Sequence, residues 1–346
     1  MSDLVVHGLG AVSPAGWGVE AMRQAVLGAQ PLPTQAVPRP GWAQPLRVRR
    51  VPLPSPRPAF LAHPRLRRTS PITHFVVAAA LEALGDDLEP VQSGGLRLGV
   101  VFTTMIGCVN YSRRFFDETL KDPTTASPLV FPETVFNAPA SHLAAFLGTR
   151  AINCTLVGDP GTFLQGVATA ADWLLQDRVD GCLVIGAEEA DWLVADAYRL
   201  FSRQVVLSEG AGALYLRACA TAGSLVRLAQ ITHPQLLFRE RDRPEAMRRV
   251  RQELPAGSPE ELLCDGRQWV GRLDAAEHAA WADWPGTRLS PKAVLGEGLT
   301  AASAWQCVLA VDHLRGSRCT AATVSVLGAN EQAIGARFEV RREPRA

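Results

Sequence analysis

The chain has 346 residues, a formal net charge of +1, 47% hydrophobic and 20% charged residues. That apolar fraction fills a sizeable core and excludes a disordered chain, and the near-zero net charge argues against a dedicated nucleic-acid binder. No apolar run reaches the roughly 18–20 residues of a membrane span, and MSDLVVHGLGAVSPAG lacks the basic and apolar regions of an export signal, so the cytoplasm is the default location.

In chain order, Leu4–Val6 reads as a buried strand, with Gly8, Gly10 and Ser13-Pro14 as the turn after it. Gly8-Leu9-Gly10 lacks the third glycine of a dinucleotide fingerprint. Val19–Leu27 has helical spacing. From Ala21 to Leu81 there is no acidic residue, nine arginines and eleven of the 25 prolines. Proline lacks the N–H that helices and central strands need, so Pro31 to Pro64 reads as an irregular, extended surface segment. Its charge also fits a docking surface for an acidic partner. Ser70–Leu84 reads as a helix, Leu98–Phe102 as a strand, Asn137–Leu147 as a helix, Cys154–Val157 as a strand and Thr162–Gln176 as a helix. Strands at Cys182–Ile185 and Ala211–Leu216 complete the first run.

After Arg217 the alternation begins again. Val226–Ile231, Glu261–Cys264, Thr323–Val326 and Gly335–Val340 read as strands. Ala246–Leu254, Asp274–Trp284 and Ala301–Leu314 read as helices. Alternating strands and helices predict α/β layers around largely buried sheets. Two successive runs predict duplicated halves, 1–217 and 218–346, in one compact unit. The seven cysteines form no CxxC pair and several sit in apolar runs, which reads as buried thiols rather than disulfides or a zinc site.

Six segments then carry a family resemblance: LVVHGLGAVSPAGWG, RLRRTSPITHFVVAAALEAL, SPLVFPETVFNAPASHLAAFLG, DGCLVIGAEE, LSEGAGALYL and PKAVLGEGLTAASA. In this order and spacing the chain resembles the β-ketoacyl synthases of the thiolase superfamily. The resemblance implies a five-layer α-β-α-β-α fold built from two βαβ-rich halves, and dimers built through the N-terminal halves. It implies no cofactor and no metal.

The family's chemistry uses a cysteine at a helix N-terminus and two histidines. Ungapped counting puts the cysteine position on Pro160, and a one-residue slip puts it on Asp159. The first histidine position falls on Gly266, or on Asp265 after a slip, ahead of Asp274 and Glu277. The second follows Lys292 and Gly296 and falls on Glu297. Lys292, Gly296, Glu188 and Glu209 keep the family's motifs, while none of the three catalytic side chains is in place. Proline cannot attack a carbonyl and offers no N–H.

By resemblance this is a non-catalytic, chain-length-factor-type subunit. Its expected partners are an active β-ketoacyl synthase, in a heterodimer, and transiently an acyl carrier protein, in type II polyketide, aryl polyene or fatty-acid-like biosynthesis. It would shape the tunnel in which the acyl chain grows. Phe115 and Phe116 are candidates for tunnel or interface. Trp269 and Trp305, just after the two lost histidine positions, are expected to fill the acyl pocket and leave it narrow or blocked.

Two alternatives stay open. Asp159, Asp265 and Glu297 would converge in one pocket and run replaced chemistry on an acyl thioester, as a hydrolase or decarboxylase, or cap helices and pair with Arg267 and Arg203. Otherwise the chain acts alone as a homodimer that holds an acyl chain or an acyl carrier protein. His278 reads as a helix-surface residue.

Overall fold

The structure, a computed structural model, describes residues 3–219, 226–316 and 319–341. Strand β1 (Asp3–Ser13) turns back through β2 (Gly16–Trp17) into α1 (Val19–Leu27). The proline-rich segment holds β3 (Gln35–Val37) and β4 (Leu46–Arg49). Next come α2 (Pro71–Leu84), α3 (Leu88–Gln92), β5 (Leu98–Thr104), α4 (Val109–Lys121) and α5 (Ala138–Leu147). They are followed by β6 (Asn153–Val157), α6 (Thr162–Leu175), β7 (Gly181–Glu188), α7 (Trp192–Tyr198), β8 (Leu207–Ser208) and β9 (Gly210–Cys219).

The second run is β10 (Val226–Ile231), β11 (Gln235–Leu236), α8 (Arg243–Glu253), β12 (Glu261–Cys264), α9 (Gly271–Ala280) and β13 (Thr287–Leu289). It closes with α10 (Pro291–Leu295), α11 (Thr300–Gly316), β14 (Ala321–Leu327) and β15 (Gln332–Val340).

The main strands fall into two sets of five with the same order, β1-β9-β7-β5-β6 and β10-β15-β14-β12-β13. In each set the first two pairings of this order, β1-β9-β7 and β10-β15-β14, are antiparallel and the outer two are parallel. The sets meet at β1 and β10, through Val5 and Arg227.

Helices α2 and α5 cover the outer face of the first set, with Ile72, Val76 and Leu143 packed against Val100, Phe102 and Leu183. Helices α6 and α11 lie between the two sets. Helices α8 and α9 cover the second set from outside, around Met247, Trp281 and Trp284. The result is the α-β-α-β-α layering. A helix between two sheets has no wet face, and from Thr300 to Val311 every residue of α11 is buried. Strands β5 and β7 are likewise buried end to end, as a sheet covered on both faces requires.

Two expectations need correction. The proline-rich segment is not wholly irregular. Its prolines bracket β3 and β4 rather than entering them, and β4 pairs in parallel with β8, which ties the segment to the core. Gly8 and Gly10 are not a turn but lie within β1. A Cβ on either would stand 1.7 or 1.9 Å from the carbonyl oxygen of Ala83 or Ala79, so bare backbone is what lets α2 lie on β1.

Of the cysteines, 108, 182, 264 and 307 are buried, and burial pushes their thiols up. The side chain of Cys219 lies outside the described residues. Among the described residues, no helix is long and apolar enough to cross a membrane.

Candidate functional site

The loop from β6 to α6 carries Asp159 and Pro160, both buried. Asp159 Oδ1 accepts from Gly161 N (3.0 Å) and Gln332 Nε2 (3.2 Å), and Oδ2 from Glu331 N (3.2 Å) and Gln332 N (3.3 Å). Glu331 Oε2 accepts in return from Asp159 N at 3.2 Å. Burial raises the Asp159 carboxyl above its ordinary range, against the opposing pull of these donors. The carboxylate therefore fixes the turn at Gly161, the residue before α6, and clamps it to the β14–β15 turn.

Glu297 follows Gly296, whose φ of 94° suits glycine. Its Oε2 accepts from Lys292 Nζ and its Oε1 from Leu299 N, both at 2.8 Å. Lys292 and Glu297 are both buried and neutralise each other.

Asp265, at the end of β12, is fully buried. It accepts from Ser290 Oγ (2.6 Å), Arg267 Nε (2.8 Å) and Arg267 N (3.3 Å). Gly266 N donates to both oxygens of Glu277 at 3.1 Å, and Ser325 Oγ donates to Glu277 Oε1 at 2.5 Å. Burial and the neighbouring Asp265 charge raise the Glu277 carboxyl. Asp274 accepts from Gln268 N (3.1 Å) and Val270 N (3.0 Å), which fixes the turn into α9.

The motif acids serve the scaffold too. Glu188 accepts from Met105 N (2.6 Å), Ile106 N (3.1 Å), Thr104 Oγ1 (3.1 Å) and Thr300 Oγ1 (2.7 Å), and burial lifts it to about 7. Glu209 accepts from Ala190 N (3.0 Å), Val51 N (3.2 Å) and Arg50 Nη1 (3.2 Å).

Gly266, Lys292 and Glu297 come together in the wall of one open cavity of about 340 Å³, with Glu277, Tyr198 and Arg243. Asp159, Pro160 and Asp265 are not in that wall. Asp159 lies behind it, beneath Gly328, whose added Cβ would stand 1.8 Å from Asp159 Oδ2. The three acids thus do not meet as one cluster. Among the described residues, no group of three His, Cys, Asp or Glu side chains is placed to hold a metal ion. Arg267 does pair with Asp265, but Arg203 pairs with none of the three.

The tryptophans do not fill the cavity. Trp269 is 62% exposed, on a backbone with φ 63° that turns the ring outward. Trp305 is buried in the middle layer, where Nε1 donates to Ala211 O (2.9 Å) and Val12 O (3.1 Å). Burying such a ring removes about 150–250 Å² from water, roughly 4–6 kcal/mol at about 25 cal/mol/Å². Phe115 packs on Phe131 with ring centroids 5.4 Å apart, and Phe116 faces solvent. His278 is exposed on α9, as expected.

Sequence reasoning missed Tyr198 and Arg243. They belong to no motif and reach the cavity only because α7 and the start of α8 converge in space. It also missed Glu189, which accepts from Ser70 Oγ, Ile72 N and Asn110 N, although the doubled glutamate of GAEE was a visible signal.

Residues 1–222 match the family model described as Beta-ketoacyl synthase, N-terminal domain. Over 133 residues the chain is 26% identical to the 3-oxoacyl-[acyl-carrier-protein] synthase 2 of Vibrio cholerae serotype O1, and 25% to that of Vibrio harveyi. Each match covers 38% of this chain and 32% of the relative, so it spans about a third of their length. Among solved structures, a chain of the ishigamide ketosynthase/chain length factor is similar at TM-score 0.79 and 18% identity, over 98% of this chain and 99% of that one. A chain of the ketosynthase in complex with its chain length factor from Xenorhabdus doucetiae is similar at TM-score 0.77 and 15% identity, over 98% of each. The structural likeness gives the thiolase-like ketosynthase fold, and with the family model spanning well over half of its length the chain belongs to the β-ketoacyl synthase family.

Proposed function

We propose that this chain is a non-catalytic, chain-length-factor-type subunit. It pairs with an active β-ketoacyl synthase and helps to shape the tunnel in which that partner's acyl chain grows. The observation that carries the reading is the start of α6. Pro160 stands where the family resemblance puts the nucleophile, and the amide of Gly161, just before the helix, is already taken by Asp159. An oxyanion would compete there with a built-in carboxylate. Gly266 and Glu297 stand at the histidine positions, and Glu297 is spent on Lys292.

The partner's cysteine would carry the acyl chain and condense it with a malonyl unit on the carrier protein. This subunit would limit growth by side-chain bulk, at roughly 1–3 kcal/mol per misfitted methylene. Two of the similar structures support the pairing, since each is of a ketosynthase together with a chain length factor. A third is of an acyl-carrier protein in complex with its ketosynthase. For a transient carrier contact, Arg57, Arg65, Arg67 and Arg68 are exposed and make no ion pair among the described residues, which suits an acidic surface.

The test is co-expression with an active β-ketoacyl synthase from the same genome that keeps the cysteine and both histidines, followed by native mass measurement and mass spectrometry after incubation with acyl carrier substrates. The expected result is a one-to-one heterodimer acylated on the partner alone. A homodimer, or an acyl adduct on this chain, would overturn the reading.

A further inference from the structure

We propose that the pocket between the proline-rich segment, Trp17 and the start of α2 is a binding site for an aromatic carboxylate, whose acid group pairs with Arg57. The pocket encloses about 860 Å³, within the roughly 300–1,000 Å³ of small-molecule sites. It shares no residue with the cavity that holds Gly266 and Glu297.

The sequence decides its charge. Apart from Trp17 and Glu209, the whole wall comes from the stretch between Ala21 and Leu81, which has nine arginines and no acidic residue. Among the described residues Glu209 is the wall's one carboxylate. It is buried and already held by Arg50 at 3.2 Å and by the amides of Ala190 and Val51. His74 is engaged as well, with Nε2 donating to Leu66 O at 2.9 Å. The cation left over is Arg57, which is exposed and makes no ion pair or side-chain hydrogen bond among the described residues. A wall with a surplus guanidinium and no free carboxylate attracts an anion, and the planar fork of arginine matches a carboxylate. Arg65, Arg67 and Arg68 lie outside this wall.

The rest of the pocket is stiff and apolar. Trp17 packs edge-to-face on Phe75, with ring centroids 6.0 Å apart and planes at 69°, and its Nε1 donates to Pro52 O at 2.8 Å. That bond spends the indole's only polar atom, so what Trp17 offers a ligand is ring surface. Pro52, Pro54 and Pro71 have fixed φ, and Leu61 adds a buried aliphatic surface. Walls of rings and prolines keep their shape when empty. A flat, stiff ligand meets them with little freedom to lose, whereas a flexible chain would give up its rotamers. An aromatic body with one carboxylate therefore suits both parts of the wall.

The test is calorimetric titration of the full chain with naphthoate, naphthylmethanol, octanoate and acetate. Naphthoate is expected to saturate one site. Naphthylmethanol and acetate each lack one of the two recognised parts and are expected to bind at least about tenfold more weakly, with octanoate several-fold weaker than naphthoate. Arg57→Gln is expected to weaken naphthoate about tenfold, the effect of losing one charge-assisted contact. Arg57 touches no other side chain through a polar atom among the described residues, so this variant keeps the parent's melting curve. Arg150→Gln removes the same charge from an exposed position outside the wall and is expected to bind naphthoate as the parent does. The proposal is overturned if naphthoate does not bind, if naphthylmethanol or octanoate binds as tightly, if Arg57→Gln binds as the parent does, or if Arg150→Gln weakens binding equally. No ketosynthase takes part in the titration, so its failure leaves the subunit reading standing.

Discussion

A carboxylate out of water must be matched by donors or by a cation, and Asp159 and Glu297 meet that need differently. Asp159 is held by four N–H groups, one from its own loop and three from the β14–β15 turn. In Asp159→Asn, one oxygen becomes an NH₂ that faces donors, and at least one buried N–H loses its acceptor. That costs about 1–3 kcal/mol. Glu297 is held by a cation. Glu297→Gln leaves Lys292 charged and buried, which costs about 3–5 kcal/mol, while pairing Lys292→Met with Glu297→Leu removes both charges and restores most of the loss. Urea denaturation measures all three. If the acids are structural, both single variants lose stability while product formation by the assembled complex stays at the parent level wherever the variant is folded. A variant of undiminished stability that abolished product formation would instead make its carboxylate catalytic.

At the scale of elements, sequence patterning located most of the fold, and three spans, Val19–Leu27, Val226–Ile231 and Glu261–Cys264, agree to the residue. It shortened β1, β7 and β9, because glycine reads as a terminator. Here glycines sit inside strands where a helix lies close, as Gly186 and Gly212 do beneath Thr300 and Ala304 of α11. It could not see β3, β8, α7 or α10, which are short and owe their form to tertiary contacts. The motif positions of the site were legible, but not their partners. Glu188 is 84 residues from Thr104 and 112 from Thr300, and only the fold brings β5, β7 and α11 to one carboxyl. That junction has a pH signature. Burial lifts Glu188 from 4.5 to about 7, so the folded state holds the proton more tightly than the unfolded chain does. Its contribution, roughly 3 kcal/mol, is full below about pH 4.5 and is lost as pH rises through about 7. Glu188→Gln is neutral throughout, and the threonine hydroxyl beside its new NH₂ can rotate to accept from it. Melting temperatures between pH 5 and 8 are expected to fall with pH less steeply in the variant than in the parent. Parallel curves would place the charge elsewhere.

At the scale of the whole molecule, one face of the first half is unfinished. Strand β6 ends the first five-strand set and among the described residues pairs only with β5, so one row of its N–H and C=O groups is open along a strand with Cys154, Leu156 and Val157 half-buried or exposed. A bare, flat, apolar edge invites another strand. On the same half, α4 and the segment after it leave Phe116, Leu120, Leu129 and Phe131 56–69% exposed. The segment is not loose, because Ser127 N donates to Glu118 and Phe131 packs on Phe115. A rigid apolar surface of this kind calls for a partner rather than for solvent. If a ketosynthase covers it, Val157→Lys puts a charge on the open edge, and Phe116→Asp puts one in the apolar surface. Each is expected to weaken the heterodimer by about tenfold or more, roughly 1.4 kcal/mol per factor of ten. Leu53→Asp, at a 93% exposed position of the proline-rich segment, is expected to leave pairing intact. Sedimentation of the co-expressed pair across a dilution series reads all three, with melting curves of each variant to show that the chain itself is still folded. Unchanged dissociation in both Val157→Lys and Phe116→Asp would move the partner off this face, whereas loss in the Leu53 variant alone would put it on the arginine- and proline-rich segment.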